Sequence, residues 1–272
     1  MKAITAIGIA CAFGALFVSA ILEGTNPVAF LNIPALVLIT GGTAGATMAS
    51  TNFRAFMTAP KAAIMSFKGS AIDSAASIGL MVELSEKARR NGLLALEEDV
   101  AKIDDAYTKK GLQLVVDGTD SDLVAAILEA EVDGLAARHQ LVAGLFATAG
   151  GFAPTVGIIG TVMGLIHVLE NLAAPSTLGP AISGAFIATL YGVSSANLMF
   201  LPIGNKLKEM SAVEVNHRMM ILDAILSIQA GDNPRVLSEK LETYMSPAER
   251  GRAEEPSSKP AAAAILEEAE AA

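Results

Sequence analysis

The sequence contains no tryptophan, one cysteine, three histidines and three tyrosines in 272 residues. The one cysteine, Cys11, cannot form an internal disulfide, and its surroundings do not indicate a redox or thiolate-metal site. The sequence also has no Gly-rich phosphate loop, nucleophile elbow or metal-ligand spacing, and its histidines lie far apart. We therefore expect no enzymatic activity and no bound cofactor.

Charged residues are missing from four long apolar runs, near residues 3–22, 28–50, 143–169 and 179–203. Each run has about the 20 residues that a helix needs to cross a bilayer. The mean hydropathy of +0.50 is too high for an ordinary soluble domain. The first run is longer than a signal-peptide core, and the second follows almost at once, so we expect the first to be retained. The sequence predicts an all-α, polytopic membrane protein with four transmembrane helices.

Basic residues are absent from the two short loops EGTNP and NLAAPSTLGP. All 19 Lys and Arg residues lie at the N-terminus, after the second run or after the fourth run. Because short cytoplasmic loops carry an excess of Lys and Arg, this distribution predicts that both termini are cytoplasmic. The net charge of −9 comes without a basic stripe, which argues against nucleic acid as a partner.

The hydropathy and charge patterns predict five segments. Residues 1–51 hold transmembrane helices 1 and 2, 52–141 form a cytoplasmic helical domain, 142–204 hold transmembrane helices 3 and 4, 205–246 form a cytoplasmic helical extension, and 247–272 form a tail. The tail is rich in Pro, Ala and Glu, a composition that predicts disorder.

Helix signals subdivide the polar segments. Residues 72–90 read as a helix that ends at Asn91-Gly92, and LLALEEDVAKIDDAYTKKG reads as the start of a second helix. A third helix begins at Asp122 and has no breaker before the third span, so we expect the two to be continuous. The fourth span is expected to continue to GDNP, after which Asp232 or Asn233 caps a short helix.

Small residues recur on one face of the third and fourth spans, a spacing that lets membrane helices approach closely. They are Gly157, Gly160 and Gly164 on the third span, and Gly184, Ala188, Gly192 and Ala196 on the fourth.

Each of these spans also carries a hydroxyl at mid-membrane, on Thr161 and Thr189, and a proline, Pro154 and Pro202. Close packing of the helices does not require any of these four residues. An isolated buried threonine usually bonds its own helix, as Thr161 would bond the carbonyl of Gly157. Alternatively, both hydroxyls supply neutral oxygens to a moving ion. Since the spans hold no Asp, Glu, Lys or Arg, the charge that binds an ion must then come from another chain.

Two further groups of polar residues allow two interpretations each. Arg89, Arg90, Glu97 and Glu98 lie at a junction between predicted helices, and form either a solvated surface or a docking patch for an oppositely charged protein. His167 lies near the outer end of the third span, one turn before Glu170, and is either part of a proton relay or a hydrogen-bonded interfacial residue.

Four blocks carry a resemblance to a known family: ARRNGLLALEED, APTVGIIGTVMGLIHVL, ATLYGVSSANLMFLPIGNKL and IQAGDNPRVLSEKL. Together with the four-span layout, they make residues 1 to about 245 resemble the MotA/PomA flagellar stator subunits of the MotA/TolQ/ExbB family. The resemblance implies a homo-oligomeric ring of five copies in the bacterial inner membrane. The ring would surround a dimer of a MotB/PomB-type subunit, whose single span carries an ion-binding Asp.

The resemblance also implies how torque arises. Ion flow past that Asp would turn the ring, and the cytoplasmic domain would push the rotor protein FliG. By motif position, Pro154 and Pro202 match prolines associated with torque. Arg89 and Glu97 match the charged pair that faces the rotor, and their neighbours Arg90 and Glu98 share that expectation.

The transported cation is either Na⁺ or H⁺. Gly160-Thr161 and the TLYG that begins at Thr189 resemble the sodium-driven stators, whereas many proton-driven relatives have Ala in place of the first hydroxyl; the match favours Na⁺. Two alternatives to a stator stay open, a TolQ/ExbB-type energiser of outer-membrane processes and a non-conducting membrane scaffold.

Overall fold

The computed structural model describes residues 4–25, 27–68, 72–173, 175–247 and 250. This part of the chain is helical and contains no strand, so the all-α prediction is confirmed. Within it, four helical stretches are long and apolar enough to cross a membrane: Ile4–Leu22, Ile33–Ser50, Ser121–Glu170 and Leu178–Ala230. The tail predicted to be disordered lies, apart from residues 247 and 250, outside the described residues.

The helices follow one another with short connections. They are α1 (Ile4–Leu22), α2 (Ile33–Ser50), α3 (Phe53–Lys68), α4 (Ser74–Asn91), α5 (Glu97–Ala101), α6 (Ala106–Val116), α7 (Ser121–Glu170), α8 (Pro175–Ser195), α9 (Leu201–Ala230) and α10 (Pro234–Glu242). Short 3₁₀ helices cover Pro27–Phe30 and Leu93–Leu96, and a π-helical turn covers Ala196–Phe200.

The chain forms two compact units. The membrane unit comprises Met1–Ala71 and Gly134–Val213, and the second unit comprises Ile72–Asp133 and Glu214–Ala272. The sequence placed its boundaries elsewhere, after residues 51, 141 and 204. The difference after residue 51 arises because the amphipathic helix α3 contacts α1 and α2 and therefore belongs to the membrane unit. The limits of the membrane itself stay a prediction.

The second unit is built around large apolar side chains from α4, α5, α6, α10 and the polar halves of α7 and α9. The largest of its fully buried side chains are Met81, Leu96, Val100, Tyr107, Leu112, Leu128, Met220, Ile221, Ile225, Ile228, Leu237 and Leu241. Arg218 lies over the ring of Tyr107, 5.1 Å from its centroid, and adds a cation–π contact to this core.

Two of the predicted helix ends in the second unit are confirmed. Helix α4 ends at Gly92, whose φ of 81° favours glycine. Asn233 caps α10 and accepts a hydrogen bond from the Arg235 amide at 3.0 Å.

The predicted single helix from Leu93 is wrong. The chain instead forms a 3₁₀ turn, the short α5 and then α6, because the carboxylate of Asp105 caps a new helix by accepting from the Thr108 amide at 2.8 Å.

The two long helical stretches are continuous, as predicted. Helix α7 extends without interruption from Ser121 to Glu170, and α8, the π turn and α9 form one stretch that ends before Gly231. The sequence did not predict the π turn. Pro202, the second residue of α9, explains it: its ring would clash with the α-helical carbonyl of Leu198, and a wider turn avoids that clash.

Candidate functional site

Helices α7 and α8 touch backbone to backbone. A Cβ atom on Gly192 would lie 2.5 Å from the carbonyl oxygen of Ala153, and one on Gly157 would lie 3.0 Å from that of Ala188. Glycine permits this approach, because a methyl group on Gly192 would overlap the facing carbonyl oxygen and one on Gly157 would crowd it. The predicted packing through small residues is therefore confirmed at this crossing.

The two threonines of the apolar spans meet one turn beyond the crossing. The hydroxyls of Thr161 and Thr189 are hydrogen-bonded to each other. Thr161 Oγ1 also lies 3.2 Å from the carbonyl oxygen of Gly157 in its own helix and 3.0 Å from that of Ala185 in α8. Thr189 Oγ1 lies 3.4 Å from the Gly157 oxygen. We call these four oxygen atoms the threonine site.

The threonine site offers neutral oxygens only. Thr161 does bond its own helix, as the packing interpretation expected, but its hydroxyl is shared between two helices rather than confined to one. Oxygen atoms are the ligands that hard cations prefer, and hydroxyls and carbonyls can replace water around such an ion. In the arrangement described here the hydroxyls satisfy each other, so a bound cation requires them to turn and requires a negative charge nearby.

The two prolines lie on helices that pack on each other. Pro154 lies inside α7, where its missing N–H leaves the carbonyl of Gly150 without a helical donor. A Cβ on that Gly150 would lie 2.8 Å from the Leu201 side chain, next to Pro202. Each proline therefore weakens its helix close to the α7–α9 contact. Pro154 lies two turns before Thr161 in α7, and Pro202 follows Thr189 along the chain, after the π turn.

The four predicted rotor-facing residues are all exposed on the second unit. Arg89 and Arg90 lie in the last turn of α4, and Glu97 and Glu98 lie in the first turn of α5. Both pairs favour their helices, because cations stabilise the C-terminal end of a helix and carboxylates stabilise the N-terminal end.

Two ion pairs lie at or beside this charged surface. The ion pair recorded for Arg90 is with Glu86 of its own helix, at 3.5 Å. Lys87 joins α4 to α5 through Asp99 at 2.5 Å, and this hydrogen bond holds the pKa of Asp99 below its usual range.

His167 is hydrogen-bonded at the end of α7. The amide of Asn171 donates to the His167 carbonyl at 2.8 Å and lies 3.4 Å from its ring Nδ1. These contacts agree with the interpretation of His167 as a hydrogen-bonded interfacial residue.

Sequence reasoning missed three parts of the membrane unit. The first is the pair of carbonyl oxygens in the threonine site, and the second is the π turn beside Pro202. The third is Tyr191, whose hydroxyl donates to the carbonyl of Phe30 and ties α8 to the connection between α1 and α2. Two signals were available: a proline inside a helical pattern marks a local change of helix type, and a buried tyrosine hydroxyl needs a partner.

Comparison with known proteins agrees with the fold. Residues 99–220 match the pattern of the MotA/TolQ/ExbB proton channel family. The chain is 37% identical over 252 residues to motility protein A of Borreliella burgdorferi, which covers 93% of this chain and 97% of the relative. It is 33% identical over 250 residues to the chemotaxis protein PomA of Vibrio alginolyticus, and this match covers 92% of this chain and 98% of PomA.

Solved structures give the same result. The flagellar MotAB stator complex from Bacillus subtilis matches with a TM-score of 0.85 and 36% identity, covering 90% of this chain and 97% of the solved one. C. jejuni MotAB matches with a TM-score of 0.86 and 32% identity, covering 89% and 95%. The chain belongs to the MotA/TolQ/ExbB family and, within it, to the motility protein A group.

Proposed function

We propose that this chain is the ring-forming subunit of a flagellar stator, in which cation flow across the inner membrane is converted into torque. The threonine site carries the proposal: the hydroxyls of Thr161 and Thr189 bond each other, and each lies within hydrogen-bonding distance of at least one of the two carbonyls from α7 and α8. No carboxylate lies in the four apolar runs of the sequence. A site of this kind suits an ion whose counter-charge is supplied by a second protein.

The second protein is a MotB/PomB-type subunit whose single span carries an aspartate. Support comes from the solved relatives, which are named as MotAB complexes. In the proposed assembly five copies of this chain surround the partner's spans, and Thr161 and Thr189 flank its carboxylate. Both termini and the second unit are cytoplasmic, in keeping with the distribution of Lys and Arg.

Torque passes from the membrane unit to the rotor. We infer that Pro154 and Pro202 let α7 and α9 bend as ions enter and leave, since each proline removes one backbone hydrogen bond. The exposed residues Arg89, Arg90, Glu97 and Glu98 then contact FliG through complementary charges.

Na⁺ is the proposed coupling ion, with H⁺ as the alternative. Na⁺ needs several oxygen ligands to replace its water, and the threonine site provides oxygens from two helices, whereas a proton needs one acceptor only. The test is swimming speed at fixed pH against external Na⁺, with and without a protonophore, in a host that lacks its own A subunit. We expect speed to rise with Na⁺ and to withstand the protonophore.

Two variants sharpen this test. Thr161→Val should raise the Na⁺ concentration for half-maximal speed by roughly tenfold, the effect of about one lost oxygen contact of 1.4 kcal/mol. Thr148→Val is the matched control, because that half-buried hydroxyl on the same helix donates to the Gly144 carbonyl of its own helix, at 3.0 Å. If swimming speed does not depend on Na⁺ and is abolished by the protonophore, the coupling ion is H⁺ and not Na⁺. A host that does not swim with the wild-type chain and its partner would support an energiser or a scaffold.

A further inference from the structure

Two threonines on α2 are buried with their hydroxyls unpaired. Thr43 and Thr47 lie one turn apart and are only 3% and 2% exposed. Neither Oγ1 has a hydrogen-bond partner among the described residues. Other hydroxyls of the same helix do bond it: Thr40 donates to the Leu36 carbonyl at 2.7 Å and Ser50 to the Ala46 carbonyl at 2.9 Å. Leaving a buried hydroxyl unpaired costs free energy, and no hydrogen bond within α2 offsets that cost at Thr43 or Thr47.

Both threonines line a cavity of about 410 Å³ that is open on one side of the membrane unit. The same cavity is lined by Met199 and Phe200 of the π turn and by Ser195, which directly precedes it. The Ser195 hydroxyl donates to the Gly192 carbonyl at 3.0 Å, which leaves its lone pairs available as acceptors. The cavity therefore combines unpaired donors, an acceptor and the room for a packed helix to move.

The π turn defines how α8 would move. A π turn holds one residue more than the α-helical register. If it moved along the chain, the residues that it passed would turn by about 100° and shift by about 1.5 Å, and the rest of α8 would keep its place. Thr189 of the threonine site lies before the π turn and Pro202 lies after it. A shift of the turn by up to three residues towards Thr189 would thus turn Ser195 while the α7–α8 contact at Gly192 stays in place.

We propose that the π turn shifts during the transport cycle and that Thr43 and Thr47 are positioning residues for the shifted packing. In that packing their hydroxyls donate to acceptors on α8, Ser195 among them. The hydrogen bonds missing from the arrangement described here are gained there, which brings the two packings close in free energy. This inference rests on the proposed stator function for its role in motility, although the shift itself is a property of the chain.

The test compares a double variant, Thr43→Val with Thr47→Val, with wild type in the complex with its MotB/PomB-type partner. Valine keeps the shape and removes the hydroxyls. We expect the melting temperature to rise by about 2–4 °C, because two unpaired polar groups are gone. Maximal swimming speed should fall roughly three- to tenfold, while the ion concentration for half-maximal speed stays unchanged because the threonine site is intact. Amide exchange over residues 196–206 of the purified protein should slow.

Two matched variants separate hydroxyl chemistry from packing. The double variant Thr43→Ser with Thr47→Ser keeps both donors and should retain speed. Thr40→Val removes a hydroxyl that is already bonded and should change neither melting nor exchange over residues 196–206. The proposal is overturned if the valine pair leaves exchange and speed unchanged, if it lowers the melting temperature, or if the serine pair loses as much speed as the valine pair. If the wild-type chain fails to support swimming while exchange slows as expected, the stator function fails and the shift stands.

Discussion

Each of the two units of this chain is stabilised internally by a different kind of contact. All of the largest fully buried side chains, such as Leu128, Ile225 and Tyr107, lie in the second unit. In the membrane unit the close contacts are instead made by glycine and alanine, with Gly157 and Gly192 packed directly on the facing helix. The second unit gains stability from the area of its core, and the membrane unit from the closeness of its backbones.

This difference follows from the surroundings of each unit. Burying apolar side chains stabilises a fold in water, but lipid tails are as apolar as leucine and give membrane helices no such advantage. Membrane helices therefore associate through close packing and polar contacts. As a consequence the threonine site lies where backbones touch, and its oxygen distances depend directly on the spacing of α7 and α8.

The largest expected effect tests the core of the second unit. Leu128→Ala removes a side chain that is 0% exposed and should lower the free energy of unfolding by about 2–5 kcal/mol. Leu123→Ala, on the same helix at 53% exposure, is the control and should cost little. Denaturant titration of both variants gives the comparison, and equal costs would contradict the assignment of the core.

In the membrane unit, we expect a substitution at the helix crossing to abolish swimming and to leave the stability of the second unit unchanged. Gly192→Val forces a branched side chain against the Ala153 carbonyl, 2.5 Å from where its Cβ must lie. The helices must separate, so we expect swimming to be lost while the second unit unfolds at the same denaturant concentration as in wild type. Gly179→Val, on the same helix with no atom within 4 Å of its Cβ, is the control and should swim. A Gly192→Val variant that swims normally would disprove the close backbone contact.

The helices and their faces were predictable from the sequence because hydropathy and small-residue spacing act along one chain. The continuity of α7 followed from the lack of a breaker, and the ends at Gly92 and Asn233 followed from residues whose backbone or side chain suits a cap. The break before α6 was missed because the residues around it all tolerate helix. Only the Asp105 carboxylate and Thr108, three residues on, signal a new cap there.

The candidate site was only half predictable. Thr161 and Thr189 stood out as hydroxyls in apolar runs, and the structure brings them together. The carbonyls of Gly157 and Ala185 could not be predicted, because every residue has a carbonyl and only the helix crossing selects these two. The unpaired state of Thr43 depends likewise on what faces α2, which no local pattern contains.

A smaller effect is expected on the surface of the second unit. Arg89→Glu should impair swimming while the chain still co-purifies with its MotB/PomB-type partner, because this exposed residue supports neither unit's packing. The loss should correspond to about 1 kcal/mol or less, as for exposed ion pairs, and an opposite change on FliG should restore part of it. Arg235→Glu, whose side chain is 88% exposed on α10, is the control. Loss of partner binding by Arg89→Glu would instead make this surface part of the assembly.

The smallest expected effect is a dependence of stability on pH that belongs to the second unit alone. His217 of α9 is half-buried there, and its Nδ1 is buried without a hydrogen-bond partner among the described residues. Burial lowers the pKa of His217, and the charge of Arg218 lowers it further, against the opposite effect of the Asp105 and Glu214 carboxylates.

The sign of the pH effect follows from proton binding. The unfolded chain takes up the proton near pH 6.5 and the folded one only at lower pH, so the stabilisation is fully present above pH 6.5. It declines as pH falls through the lowered pKa. The shift in melting should amount to a few degrees at most, because solvent screens a half-exposed ring. The melting temperature of the second unit should therefore fall less between pH 8 and pH 5 in His217→Gln than in wild type. The control His139→Gln changes a histidine of the membrane unit, bonded to Ser211 at 3.2 Å, and should leave that slope unaltered. An identical slope in His217→Gln and wild type would show that this ring does not titrate differently on folding.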